Sequence, residues 1–227
     1  MKILVIDVGG TNLKVYANGH NAPVKVPSGL HMTAKKMVNA VLKIVAGTDY
    51  SGVSMGYPGS VKNGRPSRDP HNLATGWVGF DFDKAFGKRV KIINDAAMQA
   101  VGSYEGGRML FLGLGTGLGS TLIVDGVVAP LELAHLPYKS GGTFEHHVGI
   151  AALKRLGLKK WRATVLEVVA ILRMALQADD VVLGGGNAKL MTELPQGIRL
   201  CVPWEAVYFG GCRLWQPPAN LPSVKVA

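Results

Sequence analysis

The 227-residue sequence predicts an α/β fold built twice over. Three observations carry this. A buried-strand pattern, a Gly-rich turn and a second strand occur near the start of the chain, and the same arrangement recurs past residue 109. Strand-like apolar runs alternate with segments of helical spacing. The chain is 48% hydrophobic and only 18% charged, ample for a packed core and unlike a disordered chain.

The first repeat opens at residues 2–8, where Ile3, Leu4, Val5, Ile6 and Val8 are apolar and Asp7 stands near the strand end. Gly9-Gly10-Thr11-Asn12 reads as a turn, and residues 13–17 restart a strand, giving a hairpin. Residues 33–45 have helical spacing (Met37, Val38, Val41, Leu42, Val45), with Thr33 placed to N-cap. A short strand over 52–56 ends at the turn Tyr57-Pro58-Gly59. Residues 62–80, rich in Gly, Pro, Asn and Arg, read as a long loop. A strand over 90–93 leads through Asn94-Asp95 into a helix over 96–104.

The second repeat has strands over 109–114 and 120–124 flanking Gly115-Thr116-Gly117-Leu118-Gly119, then a turn at Gly126 and a strand over 127–130. Residues 160–176 form a long amphipathic helix. A strand over 181–183 runs into Gly184-Gly185-Gly186-Asn187 and a helix over 188–194. The boundaries expected are residues 1–95 for one lobe, with 205–227 packing back on it, and 96–204 for the other.

Composition excludes several classes. The formal charge is +10, from 25 Lys and Arg against 15 Asp and Glu. Such an excess fits polyanionic partners, and it fits a solvated basic surface equally well. No nucleic-acid recognition motif accompanies it. Cys201 and Cys212 form no CxxC pair, which points away from a zinc site or a disulfide framework and towards a reducing compartment. The opening MKILVIDVGG has no cleavage region, and no apolar run reaches the ~18 residues of a membrane span. A soluble intracellular protein, bound to neither membrane nor nucleic acid, is expected.

Two Gly turns are candidate phosphate cradles. In Asp7 to Thr11, the glycines let backbone N–H groups approach a phosphate oxygen, Lys14 lies near, and Asp7 can hold Mg²⁺ through water. An ordinary hairpin turn accounts for these residues about as well. The second turn, Gly115 to Gly119, has GxGxxG-like spacing, but a strand follows rather than the helix a dinucleotide fold needs. A phosphate-cradling hairpin is therefore preferred. Asp95 can face a cleft as a general base, while an Asx N-cap competes as the local explanation of Asn94-Asp95. Glu132, His135 and Glu145, with His146 and His147, form a polar group. It lacks metal-ligand spacing and suits sugar hydroxyls, with His146 and His147 alternatively in a solvated loop. Gly184 to Asn187 suits anion approach at a helix N-terminus.

The order of these motifs resembles the ROK family of sugar kinases and repressors from Lys2 to about Trp215. They run Asp-x-Gly-Gly-Thr, Pro-Gly, Asn-Asp, Gly-Thr-Gly-x-Gly, Glu-Leu-x-His and Gly-Gly-Gly. Asn72…Trp77, Lys160-Trp161-Arg162, residues 182–187 and Gly210-Gly211…Arg213-Leu214-Trp215 resemble the polyphosphate-using glucokinase branch. The resemblance implies an actin-like ATPase (ribonuclease H-like) duplicated two-lobed fold with a central cleft. It also implies a cytoplasmic homodimeric kinase that phosphorylates glucose or a related hexose on oxygen 6, from polyphosphate and/or ATP with Mg²⁺. By matching positions, Asp95 is the base. Asp7, Gly9, Gly10, Thr11, Lys14, Gly115, Thr116, Gly117 and Gly119 meet phosphate. Asn72, Asn94, Glu132, His135 and Glu145 meet the sugar, and Gly184, Gly185, Gly186 and Asn187 the nucleotide. The Cys-rich zinc motif of many relatives is absent: residues 139–145 contain no Cys, and zinc is not expected. Ala134 stands where Gly is usual. A sugar-binding sensor without catalysis is the rival reading, and retention of Asp95 and both Gly loops favours the enzyme. For polyphosphate, Lys139, Lys154, Arg155, Lys159, Lys160, Arg162 and Lys189 are the candidate cationic track.

Overall fold

The computed structural model describes residues 1–17, 22–216 and 225–226, which fall into two compact units: Met1–Met98 with Val207–Gln216, and Gln99–Ala206 with the extreme C-terminal strand. The chain runs β1 (Ile3–Val8), β2 (Asn12–Tyr16), β3 (Val24–Pro27), α1 (Ala34–Ile44), β4 (Gly52–Tyr57), β5 (Val61–Lys62), β6 (Arg65–Pro66), α2 (Phe82–Phe86), β7 (Val90–Asn94) and α3 (Asp95–Ser103). It continues through β8 (Arg108–Leu114), β9 (Leu118–Val124), β10 (Val127–Leu131), α4 (Phe144–Val148), α5 (Ile150–Leu156), α6 (Leu158–Ala175), β11 (Asp180–Gly184), β12 (Ile198–Leu200), α7 (Pro203–Arg213) and β13 (Lys225–Val226).

The first unit holds a mixed sheet in the order β3-β2-β1-β4-β7. β1 to β3 form an antiparallel meander, while β4 and β7 join β1 in parallel. β1 is buried at all six positions because both faces are covered. Its even residues Leu4, Ile6 and Val8 enter a core with Met37, Val38 and Val41 of α1 and Phe82 and Phe86 of α2. On the other face, the bare Cα of Gly211 in α7 lies against Val5: a Cβ there would stand 2.5 Å from the Val5 side chain. By strand alternation, Asp7 points to this second face. Thr33 caps α1 as expected, its hydroxyl accepting from Lys36 N at 3.3 Å.

The second unit repeats the topology. Its sheet order is β12-β11-β8-β9-β10-β13. Numbering strands within each unit, β10-β9-β8-β11-β12 and β3-β2-β1-β4-β7 are the same 3-2-1-4-5 arrangement. The duplication read from two Gly-turn hairpins is thus present at the level of whole sheets. Leu110, Leu112 and Leu114 of β8 pack with Val165, Val168, Val169 and Leu172, one face of α6. Trp161 is fully buried there, and its indole N–H donates to Val148 O at 2.9 Å.

Three readings change. The loop over 62–80 includes a small hairpin, β5 with β6, whose strands are too short to show alternation. It also delivers Trp77 to the core against Tyr57 and Phe82, its backbone N–H held by Asp69 Oδ1 at 2.9 Å. The helix over 188–194 shrinks to one 3₁₀ turn, Ala188–Leu190, after which Met191 is extended and Pro195 follows. His146 and His147, for which a solvated loop was the alternative, lie in helix α4 (Phe144–Val148). Of the segment 205–227, residues 217–224 and 227 lie outside the described residues. No helix among those described is long and apolar enough to cross a membrane.

The end of α7 is locked to the first sheet. Ser54, fully buried on β4, donates to Gly211 O at 2.7 Å and accepts from Trp215 Nε1 at 2.8 Å. The Trp215 ring covers Gly52, and Lys91 on β7 donates to Leu214 O at 2.5 Å while lying 4.7 Å from the indole centroid. Ser54→Ala orphans two buried polar groups, so a loss of about 1–3 kcal/mol is expected. Urea unfolding should show a lower midpoint with an unchanged m-value.

Candidate functional site

The first unit brings its chemistry to the C-terminal ends of β1, β4 and β7. Asp7, 5% exposed, is a carboxylate in a buried strand, and such a charge requires a partner. Lys14 on β2, the cross-strand neighbour of Asp7, supplies it: Nζ donates to Asp7 Oδ2 at 2.7 Å. Lys14, expected at phosphate, is thus held on Asp7. Asp95 begins α3 directly after β7. Gly56 lies beside both residues. A Cβ on Gly56 would stand 3.3 Å from Met98 Sδ, 3.4 Å from Asp95 Cα and 3.7 Å from Asp7 Oδ1, so a side chain there would crowd the space beside both acids.

Asn94 and Asp95 divide the roles that compete for them in the sequence. Asn94 Oδ1 accepts from Ala97 N at 3.1 Å and caps α3, while its amide donates to Gly59 O at 3.3 Å. Asp95 Oδ1 accepts from Ala96 N at 2.8 Å. Burial, and then the charge on Asp7, push the Asp95 carboxyl up to about 7; Lys14 and the backbone bonds pull the other way. A partly exposed carboxyl poised near neutrality has the property expected of a general base.

The Gly9-Gly10 turn adjoins these acids. Gly9 N donates to Asn12 O at 3.1 Å, and Ser28 fastens the turn from outside, its hydroxyl donating to Gly9 O at 2.6 Å and its N–H to Thr11 O at 2.9 Å. Thr11 is exposed. Asn72 is exposed and packs so closely on the turn that a Cβ on Gly10 would lie 2.9 Å from its Cβ. Asp95, Asn94, Asp7, Lys14, Gly9, Gly10 and Asn72 therefore belong to one neighbourhood. Gly56 and Ser28 were missed by sequence reasoning. Ser28 sits in a Pro-Ser-Gly turn signal that could have drawn attention; Gly56 reads only as a strand end.

In the second unit, the turn Gly115–Gly117 joins β8 to β9 at the position equivalent to Gly9–Asn12. Glu145 on α4 reaches it, with Oε2 accepting from Leu118 N at 3.4 Å. Asn187 reaches it as well, its amide donating to Gly115 O at 3.1 Å. The Gly184–Asn187 turn thus braces a neighbouring Gly loop rather than opening a helix, and the helix-terminus argument for anion binding there falls away. Glu132 and His135 are exposed and 3.7 Å apart, beside the 3₁₀ turn Leu133–His135 that packs on α4. His146 closes a capping box with Thr143, and His147 meets Lys139 O at 3.1 Å; neither is a free loop residue.

Three of the seven track cations have protein partners. Lys139 is paired with Glu167, Arg155 donates to His146 O at 2.7 Å, and Arg162 to Leu190 O at 2.5 Å. Lys154 in the last turn of α5, and Lys159 and Lys160 in the first turn of α6, gather at the corner made by Gly157 (φ 73°). All three are exposed.

Sheets duplicated in the 3-2-1-4-5 order, with an acid at the end of the first strand and Gly turns in both hairpins, define an α/β fold of the actin-like ATPase type. The comparisons agree. No protein-family model matches the chain. It is 26% identical over 207 residues to polyphosphate glucokinase from Mycobacterium tuberculosis, covering 81% of this chain and 77% of that protein. Among solved structures, it is similar to the inorganic polyphosphate/ATP-glucomannokinase from Arthrobacter sp. strain KM (25% identity, TM-score 0.74, 92% and 96% covered). A ROK family glucokinase from Streptomyces griseus, in complex with glucose and AMPPNP, shares the fold at 18% identity (TM-score 0.70, 94% and 99% covered). The motif-level resemblance to ROK sugar kinases and to polyphosphate glucokinase is borne out, as is the fold class.

The raised Asp95 pKa has a consequence for stability. Its folded value lies above the unfolded one near 3.9, so the folded state binds the extra proton between about pH 4 and 7. This contribution favours folding at low pH and is lost as pH rises through 7. Asp95→Asn should therefore be more stable than wild type at pH 8, by up to a few kcal/mol at about 1.4 kcal/mol per pK unit, and the gap should close towards pH 4. Thermal melts across that range check it; a variant less stable at pH 8 contradicts the assignment.

Proposed function

We propose that this chain is a hexokinase-type phosphotransferase. It moves the terminal phosphoryl group of polyphosphate or ATP to the 6-hydroxyl of glucose or a related hexose, with Asp95 as general base. The observation that carries the reading is the Asp95 carboxyl, held near neutral pKa close to Asp7 and Gly56. Phosphoryl transfer demands chiefly positioning and charge stabilisation, with one group to take the hydroxyl proton. Similarity to a polyphosphate glucokinase and to a polyphosphate/ATP-glucomannokinase supports both the acceptor class and the donors.

The carboxylates present fit magnesium better than zinc. Among the described residues no three His, Cys, Asp or Glu side chains gather as metal ligands. Mg²⁺ commonly takes one or two carboxylates, keeps several waters and binds substrate phosphates, and buried Asp7 beside a Gly turn is such a donor. Bound there through water, the ion would neutralise charge on the donor phosphates. Asn72, Asn94, Glu132, His135 and Glu145 are the proposed sugar contacts.

A coupled assay for glucose 6-phosphate, with Mg²⁺ and each donor in turn, tests the reading; product from neither donor overturns it. Asp95→Asn should lower kcat about 10²–10⁴-fold with sugar affinity retained. In wild type, kcat should rise with pH through a limb near 7 and level off above it, as Asp95 ionises. Lys14→Met should move that limb to higher pH, because the lysine charge favours the ionised form.

The donors separate by salt. Polyphosphate use should weaken more steeply than ATP use as ionic strength rises, since screening removes the attraction of a cationic corner for a long polyanion. Lys159→Ala with Lys160→Ala should raise KM for polyphosphate about five- to tenfold and leave KM for ATP little changed. Equal effects on both donors would remove that corner from the polyphosphate path.

A further inference from the structure

The Gly115–Gly117 turn is held from outside through three successive carbonyls. Leu114 O accepts from Asn187 N at 2.9 Å, Gly115 O from Asn187 Nδ2 at 3.1 Å, and Thr116 O from Ile150 N at 3.2 Å. A trans peptide is planar, with C=O and N–H on opposite sides. Fixing the Gly115 and Thr116 carbonyls towards the clamp therefore aims the Thr116 and Gly117 N–H groups away from it. The Thr116 and Gly117 N–H groups, on the far side of their peptides from these bonds, are left for an outside acceptor such as an anion.

Glu145 completes the hold. It takes the Leu118 amide, and a Cβ on Gly117 would lie 1.9 Å from its Oε2, so the carboxylate fills the space a side chain at 117 would need. α4 is tied to the same turn at its end: Gly149 N donates to Glu145 O at 2.9 Å, and a Cβ on Gly149 would stand 2.8 Å from Thr116 O. Packing does not explain Gly115, since a Cβ there would meet nothing within 4 Å.

We propose that Asn187 and Glu145 are positioning residues which clamp the Gly115–Gly117 turn, so that the Thr116 and Gly117 amides are presented to a phosphate of the donor. Asn187 then acts on the donor through the turn rather than by touching a nucleotide, and Glu145 has a donor-side role besides any sugar contact. The donor's identity rests on the kinase reading; the clamp itself rests on the bonds above.

Amide-resolved NMR with inorganic tripolyphosphate and Mg²⁺ as the probe tests this. In wild type, the Thr116 and Gly117 amide signals should move on titration. Asn187→Ala and Glu145→Ala should each weaken the fitted affinity about tenfold, the loss expected for one positioning hydrogen bond. Glu145→Gln should recover most of it, because its amide oxygen still accepts from Leu118 N. Gly117→Ala, which evicts the carboxylate, should match Glu145→Ala. Should Glu145→Ala fail to fold by circular dichroism, Glu145→Gln and Asn187→Ser carry the comparison, with Asn187→Ser the weaker binder. Wild-type amides that do not move, or affinities unchanged in the variants, overturn the clamp. Glucose 6-phosphate formation without these amide shifts sinks the clamp alone. Asn187-dependent shifts without product from either donor support the clamp and sink the kinase reading alone.

Discussion

Asp7, buried at the end of β1, and Asp95, at the start of α3, are like charges set close together, and burial leaves little water to screen them. The first unit is organised around that conflict. Lys14 neutralises Asp7 at 2.7 Å, which leaves Asp95 to carry the cost, and its pKa rises to about 7. The division is unequal: the lysine is engaged by Asp7, and Asp95 is the carboxyl pushed up towards neutrality. Gly56 keeps the space beside Asp7 Oδ1 and the Asp95 backbone clear of a side chain.

The supporting structure follows from this requirement. An unstable charge arrangement needs strands that cannot shift. Ser54 lies two residues before Gly56 on β4, and its bonds to Gly211 and Trp215 pin that strand to the end of α7. Lys91 does the same for β7, three residues before Asn94. Ser28 fixes the Gly9 turn that follows Asp7. Each of β1, β4 and β7 thus has a polar anchor close to the residues whose geometry matters, and the apolar core on the other face sets only the platform.

Much of this was legible in the sequence, and the failures have physical causes. The paired Gly turns, the acid at the end of β1 and the Asn-Asp after β7 are local signals, and they led to the right fold. Thr33 announced a helix start by its chemistry. The expected helix after Gly184-Gly185-Gly186-Asn187 was a false signal: Ala188, Leu190 and Met191 have helical spacing, but Pro195 and the extended Met191 stop the turn after three residues. Gly56, Ser54 and Trp215 were illegible because their roles come from contacts distant in sequence, 157 residues apart for Ser54 and Gly211. Which of Asn94 and Asp95 caps the helix is equally invisible to residue type, since both side chains cap well.

The duplication separates two jobs that a single turn would have to combine. In the first unit, Asp7 pairs across the hairpin with Lys14, one step before the last pair, Val8 with Leu13. In the second, the last pair is Leu114 with Leu118, and the pair one step before it is Gly113 with Gly119. The ion pair of one hairpin is therefore two glycines in the other. A carboxylate at the first turn can hold a cation or tune a base; at the second it would repel a phosphate from the amides of Thr116 and Gly117. The acid that does approach the second turn, Glu145, comes from α4 and meets the Leu118 amide, which offsets its charge locally. On the proposed reading, two copies of one topology let acid–base chemistry and amide-based anion binding each be built on a strand end without weakening the other.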